Sequence, residues 1–209
     1  MIKFEQIEVW GIKHAIRGMR NPLNSWERSD TVFDGNKMCL GENDVDLMTR
    51  LIRGGAPHRK FLRQIFVSVD ITAPLYWWKE FDTYKVGTTA NSCSTMHKIH
   101  AKKFELVDFS TEHLSPLSIN ALKSVIDVMN LEREHYIACK DKDCWWQMIQ
   151  LLPTSYNQKR TVTMTYENLL NMLEYRRGHK LDEWRMFCDW ILTLPYGSLL
   201  KEGVGNEQS

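Results

Sequence analysis

The sequence has no apolar run approaching the ~18 residues of a membrane span, and its start, Met1-Ile2-Lys3-Phe4-Glu5, lacks the pattern of a signal peptide. Neither a membrane-spanning nor a secreted protein is expected. A charge surplus is also missing. The 27 Lys and Arg against 26 Asp and Glu leave a net charge of +1, which argues against a general nucleic-acid or membrane-surface binder. The five cysteines, Cys39, Cys93, Cys139, Cys144 and Cys188, contain no C-x-x-C pair and leave one unmatched, so a reducing cytoplasm is the expected home. Also absent are G-x-G-x-x-G after a strand, G-x-x-x-x-G-K-[ST] and the G-x-S-x-G elbow, which excludes the Rossmann, P-loop and serine-hydrolase patterns. Internal repeats, low-complexity segments and linkers are lacking too.

What is present suffices for one domain. A chain of 209 residues buries roughly 70% of its unfolded surface and needs no disulfide or metal to persist. The pattern predicts a single domain over residues 1–201 and a frayed polar tail over 202–209. A first helix is expected from Trp10 to Arg20, stopped by Asn21-Pro22. A second is expected from Asp44 to Arg53, capped by Asn43 and ended by Gly54-Gly55. Ile65, Val67, Val69 and Ile71 alternate with Phe66, Ser68, Asp70 and Thr72 as in a strand, and Pro74 opens an aromatic helix, Leu75 to Phe81. Ser115-Pro116 begins another helix, with Ile119, Leu122, Ile126 and Met129 at helical spacing. A long helix is expected over Glu132 to Leu151. Beyond Gly178, Leu181, Trp184, Cys188 and Ile191 form a further stripe. The class is α+β, helix-rich with a small central sheet. Of the tryptophan pairs Trp77-Trp78 and Trp145-Trp146, neighbours point about 100° apart on a helix, so one of each can be core while the other faces a groove or subunit, and core packing is the expected role.

The segment Tyr84 to His97 is the chief candidate for a site loop. Gly87 frees the backbone, Thr88, Thr89, Asn91, Ser92 and Ser94 carry hydrogen-bonding groups, and Lys85 and His97 supply positive or titratable charge. Such a loop suits a polar, phosphorylated ligand, although a solvated turn has the same composition. Cys93 within it is a candidate nucleophile, without a His or Asp that the sequence ties to it. His97 and His100 have the spacing of a metal pair on a helix, with no Cys or carboxylate to complete the set, and His14, His113, His135 and His179 stand isolated. Upstream, Arg50, Arg53, His58, Arg59, Lys60 and Arg63 form a basic cluster, most of which reads as a solvated rim.

The order of these elements resembles that of the flavin-dependent thymidylate synthases, whose core runs helix, Gly-His segment, strand, helix and then the signature R-H-R-x-x-S-x-N-x-x-S-x-R-Y. Laid on it, the chain supplies Thr89 for the first Ser, Asn91 for the Asn and Ser94 for the second Ser. It departs at Tyr84, Lys85 and Val86, where Arg, His and Arg are expected, and at Met96 and His97, where Arg and Tyr are expected. His58 matches the His of the Gly-His segment, while Arg63 and Gln64 replace the Glu and His that usually follow. Downstream, Asn168 to Arg176 occupies the place of the family helix that ends in Leu-Arg, and Asp182-Glu183-Trp184-Arg185 loosely echoes the Gln-x-Glu pattern. The resemblance spans roughly Asp44 to Trp190.

The resemblance implies a thymidylate synthase-like fold, a homotetramer whose sites are shared between subunits, and FAD passing reducing equivalents from NADPH, with a one-carbon unit from methylenetetrahydrofolate, to C5 of a pyrimidine nucleotide, usually dUMP. It places Ser94 and Arg176 at the pyrimidine, and His58, Lys85, Thr89 and Asn91 at the flavin or phosphates. Each charge-assisted hydrogen bond to phosphate contributes roughly 1.5–3 kcal/mol, so losing the signature arginines removes several decades of affinity unless Lys85, Arg160 or Arg177 restores the charge. Three readings stay open: altered one-carbon transfer, nucleotide or flavin binding without turnover, and a structural oligomer. Convergence of Ser94, Asn91, His58 and Arg176 on one pocket separates a ligand role for Arg176 from the ordinary use of a cation at a helix C-terminus.

Overall fold

In the computed structural model, which describes residues 1–35 and 37–205, the chain divides into two compact units. One comprises residues 1–5, 70–83 and 90–161, and the other residues 6–69, 84–89 and 162–205. A four-stranded sheet runs in the order β1 (Lys3–Trp10), β4 (Phe66–Pro74), β6 (Asn157–Thr165) and β5 (Thr89–Ser92). Four of the five boundaries between the units fall within these strands, and the fifth, between residues 83 and 84, does not. A separate antiparallel ribbon pairs β2 (Val32–Asp34) with β3 (Lys37–Cys39). The two units are built from interleaved chain segments within the span 1–201 expected as one domain.

The larger unit is built on α1 (Ile12–Arg20), α2 (Glu42–Arg53), α7 (Tyr166–Arg176) and α8 (Asp182–Thr193). The apolar stripes of these helices become core: Met48 and Ile52 on α2, Leu169, Leu170, Met172 and Leu173 on α7, and Trp184, Phe187, Cys188 and Ile191 on α8. The first helix begins two residues later than expected, because Lys3–Trp10 is a strand and Gly11, at φ +89°, makes the turn. A β-carbon at Gly11 would lie 2.0 Å from the Gln64 carbonyl oxygen, so only glycine fits there. Asn43 is not the cap of α2. Gly41 holds that position, and the Asp30 carboxylate accepts from the Asn43 and Asp44 amides at 2.9 and 3.1 Å. The first-turn donors are satisfied by a side chain from outside the helix.

Behind that cap lies a buried ion pair. Asp44 is fully buried. It accepts from Arg20 Nε (2.7 Å), Ser29 Oγ (2.7 Å), Thr31 Oγ1 (2.6 Å) and the Thr31 amide (3.1 Å). Burial is the largest influence on this carboxyl and raises its pKa, but hydrogen bonds from Thr31, Ser29 and Arg20, with the Arg20 charge, outweigh it and hold the pKa below its ordinary value. The pair ties α1 to α2. Toward the C-terminus, Gly197–Gly203 forms a 3-10 helix with Leu200 buried, and Arg53 pairs with Glu202 at 2.5 Å. The expected frayed tail therefore does not begin at Glu202, and residues 206–209 lie outside the described residues.

The smaller unit holds α3 (Leu75–Phe81), α4 (Thr95–Lys98), α5 (Pro116–Cys139) and α6 (Lys142–Leu151) around a core of Ile99, Phe104, Phe109, Leu122, Ile126, Met129 and Met148. Asn130 pins the loop to α5 in both directions: its Oδ1 accepts from the Phe104 amide and its Nδ2 donates to the Phe104 carbonyl, each at 2.9 Å. The long helix expected over Glu132–Leu151 is broken. Lys140 adopts a left-handed conformation at φ 59°, and Asp141 caps α6 by accepting from the Asp143 amide at 2.9 Å. Trp77 and Trp78 are both fully buried in core packing, neither facing a groove, and the Trp78 indole N–H donates to the Gln158 carbonyl at 2.9 Å. In the second pair, Trp145 is half-buried and Trp146 exposed.

Candidate functional site

In the larger unit, the start of the candidate loop is fastened along α7. Arg176, in the last turn of that helix, donates from Nε to the Tyr84 hydroxyl at 2.9 Å. Its guanidinium carbon lies 4.8 Å from the centre of the Trp184 ring and 5.5 Å from that of Tyr84. The cation is held over aromatic faces by stacking and a directed hydrogen bond, a geometry that a lysine ammonium does not reproduce. Two residues on, Asn168 Nδ2 donates to the Val86 carbonyl at 2.7 Å. Asn168 also completes a capping box with Thr165, its Oδ1 accepting from the Thr165 amide at 3.0 Å. Gly87 sits at φ +73°, and a β-carbon there would lie 2.9 Å from Asn168 Oδ1. Thr88 Oγ1, next in the loop, is buried and has no hydrogen-bond partner among the described residues. An orphaned hydroxyl of this kind is where a ligand atom gains a bond at little cost. Lys85 and Thr89 are exposed.

His58 lies in the same unit, exposed, on the turn after α2. Its ring packs on Gly54, where a β-carbon would lie 3.2 Å from its Cγ. It helps line a groove of about 400 Å³ together with Asn21, Leu47, Leu51, Lys60 and Gln64. Sequence reading placed the adjacent Arg59 on a solvated rim, and the structure corrects this. Arg59 is buried and donates to Glu167 Oε1 at 3.1 Å and to Asn171 Oδ1 at 3.2 Å, both on α7. The second Glu167 oxygen is buried with no hydrogen-bond partner among the described residues. α7 thus carries Glu167, Asn168, Asn171 and Arg176 toward two segments that resemble signature regions.

In the smaller unit, Ser94 is the N-cap of α4. Its hydroxyl accepts from the His97 amide at 3.1 Å and lies 2.8 Å from His97 Nδ1. The histidine that stands where the signature has Tyr is therefore bonded to the residue that matches the signature's second Ser. Asn91 is exposed on β5. The segment is not the structureless loop its composition suggested, because Thr89–Ser92 joins the sheet and Cys93 exchanges backbone and side-chain bonds with Lys159 and Gln158. Arg160, named as a replacement for the lost cations, is already committed. It pairs with Asp82 at 2.7 Å and stacks 4.3 Å from the Trp78 ring centre. His97 and His100 belong to no metal-ligating cluster among the described residues.

The site residues thus divide between the units: His58, Lys85, Thr89 and Arg176 in one, Asn91 and Ser94 in the other. Sequence reasoning missed Tyr84, Arg59, Glu167 and Asn168. The spacing of Thr165 and Asn168, three apart at the start of an apolar stripe, was a legible capping signal.

No protein-family model matches the sequence, and no curated protein matches it. Solved structures do. The chain is similar to the flavin-dependent thymidylate synthase ThyX from Helicobacter pylori solved with FAD and dUMP, at a TM-score of 0.68 and 18% identity over 98% of this chain and 99% of that one. A second Helicobacter pylori ThyX structure with FAD and dUMP agrees at a TM-score of 0.66 and 16% identity over the same shares. The fold is that of ThyX. The expected thymidylate synthase-like α+β architecture is borne out, while identities this low leave the chemistry to be argued from the residues present.

Proposed function

We propose that this chain is a divergent ThyX-like protein that binds FAD and a pyrimidine deoxynucleotide and transfers a one-carbon unit to C5 of dUMP or a related nucleotide. The observation that carries the reading is Arg176, held by Tyr84 and Trp184 at the end of the helix where the resembling family places its pyrimidine-side arginine. A plain helix-terminal cation needs no such frame. Ser94 and Arg176 act at the pyrimidine, and His58, Lys85, Thr89 and Asn91 at the flavin and phosphates. The orphaned Thr88 hydroxyl and the groove beside His58, with Leu47, Leu51 and Phe61 for a planar ring and Lys60 and Asn21 for polar groups, fit a flavin nucleotide. A bound flavin supplies the hydride chemistry, with NADPH and methylenetetrahydrofolate as co-substrates, and the protein orients, desolvates and balances charge. The shared-site reading makes the protein a homotetramer. Free thiols at all five cysteines support a reducing, cytoplasmic setting.

Ordinary dUMP is a poor substrate in this proposal. Val86 and Met96 stand exposed where the signature supplies guanidinium groups, and each lost charge-assisted bond costs roughly 1.5–3 kcal/mol. The test is to purify the protein, quantify released FAD, and titrate dUMP and other pyrimidine deoxynucleotides into wild type, Arg176→Lys and Ser94→Ala. Flavin binding, with nucleotide affinity falling at least tenfold (about 1.4 kcal/mol) in Arg176→Lys, supports the proposal. Wild-type protein that takes up neither flavin nor nucleotide overturns it, and rapid dTMP formation from dUMP overturns the substrate preference. A monomer of 24.6 kDa by light scattering at micromolar concentration removes the shared site.

A further inference from the structure

In the smaller unit, the turn between α5 and α6 gathers five potential metal ligands, among them His135, which stands isolated in the sequence. Glu132, His135 and Cys144 bring one donor atom each to within 4.8 Å of one another, and Cys139, Asp141 and Cys144 do the same. Cys144 belongs to both groups. The arrangement follows from the helix break. Glu132, His135 and Cys139 are spaced three and four apart along the last turns of α5, so they share one face. The left-handed Lys140 then reverses the chain and Asp141 starts α6, which returns Cys144 against that face. An unbroken helix over 132–151 would have left Cys144 more than a turn beyond Cys139.

We propose that Cys139, Cys144 and His135, with Glu132 or Asp141 as the fourth ligand, form a binding site for a thiophilic divalent cation of the Zn2+ class. Two sulfurs, an imidazole and a carboxylate form a tetrahedral donor set of the kind zinc takes. Oxygen-seeking cations such as Mg2+ and Ca2+ prefer all-oxygen shells and are not suited to it. Bond lengths of about 2.0–2.3 Å place tetrahedral donors some 3.4–3.8 Å apart, so the side chains within each group close by up to roughly 1 Å on binding, and bringing His135 and Cys139, which belong to different groups, onto one ion takes a further side-chain movement. They have room to move: His135, Cys139 and Asp141 are exposed and Cys144 is half-buried. The Cys139 thiol donates to the His135 carbonyl at 3.0 Å and the Cys144 thiol is hydrogen-bonded to the Glu132 carboxylate, bonds given up when the thiolates take a metal. The bound ion would clamp α5 to α6 and fix the orientation of the exposed Trp146 and its neighbour Trp145.

The experiment uses the full chain, reduced and stripped of metal. Zn2+ binding is measured by competition with a chromogenic chelator, and Co2+ is used as a spectroscopic probe. One Zn2+ per chain, together with thiolate-to-cobalt charge-transfer absorption, is expected. Cys144→Ser and His135→Ala should each weaken Zn2+ binding by more than the roughly 10–100-fold that loss of a supporting residue costs. Cys39→Ser and Cys93→Ser, outside the cluster, should leave it unchanged. Far-ultraviolet circular dichroism checks that the variants fold, and the exposed His135→Ala keeps the test decisive if Cys144→Ser does not. Reduced protein that binds no Zn2+, or binding that survives both Cys144→Ser and His135→Ala, overturns the proposal. So does a Cys139–Cys144 disulfide in freshly isolated protein whose reduced form stays metal-free.

Discussion

Replacing Asp44 with Asn tests the account of how the frame of the larger unit is held. Arg20 is 4% exposed and Asp44 0%, with Arg20 Nη2 as well as Nε at 2.7 Å from Asp44 Oδ1. Asn keeps the shape and lets the Ser29 and Thr31 hydroxyls reorient, but it leaves the guanidinium buried without its counter-charge. Removing one member of such a pair costs about 3–5 kcal/mol, and the neutral isostere belongs at the low end. At roughly 2–4 °C per kcal/mol for a chain of this size, a loss of about 3 kcal/mol lowers the melting temperature by some 6–12 °C. The sign of the pH dependence follows from the same site. The folded Asp44 pKa is depressed below its ordinary 3.8, so its contribution is complete above that value and is lost as pH falls through the lower folded pKa. Urea denaturation at neutral pH and in acid, for wild type and Asp44→Asn, should show a gap that narrows as pH drops below about 4. Arg20→Met in the Asp44→Asn background should recover part of the loss, because an apolar side chain leaves no buried charge unpaired. A loss under about 1 kcal/mol, or a gap that widens in acid, would refute this account of the pair.

Three further substitutions probe the candidate site. Gly87→Ala forces an L side chain into a left-handed conformation, costing about 1–2 kcal/mol, and drives its β-carbon onto the Asn168 side chain; hydrogen exchange should quicken at residues 84–89 and in the first turn of α7, and unchanged protection there would contradict the fastening described. Arg59→Met strands the buried Glu167 carboxylate and should cost about 3–5 kcal/mol in urea denaturation, whereas Glu167→Gln should cost less, and equal losses for the two would show that charge is not what matters at that contact.

Where a side chain's fate is decided by its near neighbours in sequence, the chain could be read. Ile65 to Ile71 alternates because one face of β4 is buried, and Val67, Val69 and Ile71 are fully so. The stripes of α2, α7 and α8 were equally plain. β1 was missed because most of its side chains are exposed and no alternation marks them. Arg59 was misread for a different reason. Its partner Glu167 is 108 residues away, and nothing local distinguishes a buried arginine from the exposed ones around it. The α5 break hid in Cys139-Lys140-Asp141, where a left-handed lysine, rather than the usual glycine, ends the helix.

The candidate site shows how a broken signature can still be informative. Read as letters, Tyr84 counts as a loss, a neutral ring where an arginine is expected. In the folded chain its hydroxyl accepts from Arg176, 92 residues away, and its ring packs edge-on against Trp184 at 5.8 Å. An arginine at position 84 would bring a second guanidinium to the same place, which is stable when an anion lies between the two and repulsive otherwise. Tyrosine removes that requirement, because Arg176 is oriented whether or not a phosphate is present. With Val86 also uncharged, the start of the loop has fewer cations to offer, while Arg176 stays ordered at the end of α7. Under the proposed function, the consequence is a shift from recognising a ligand mainly by its charge toward recognising it by stacking and by hydrogen bonds to a planar ring, and this is why the proposal favours a nucleotide distinguished by its base over tight capture of dUMP through its phosphate.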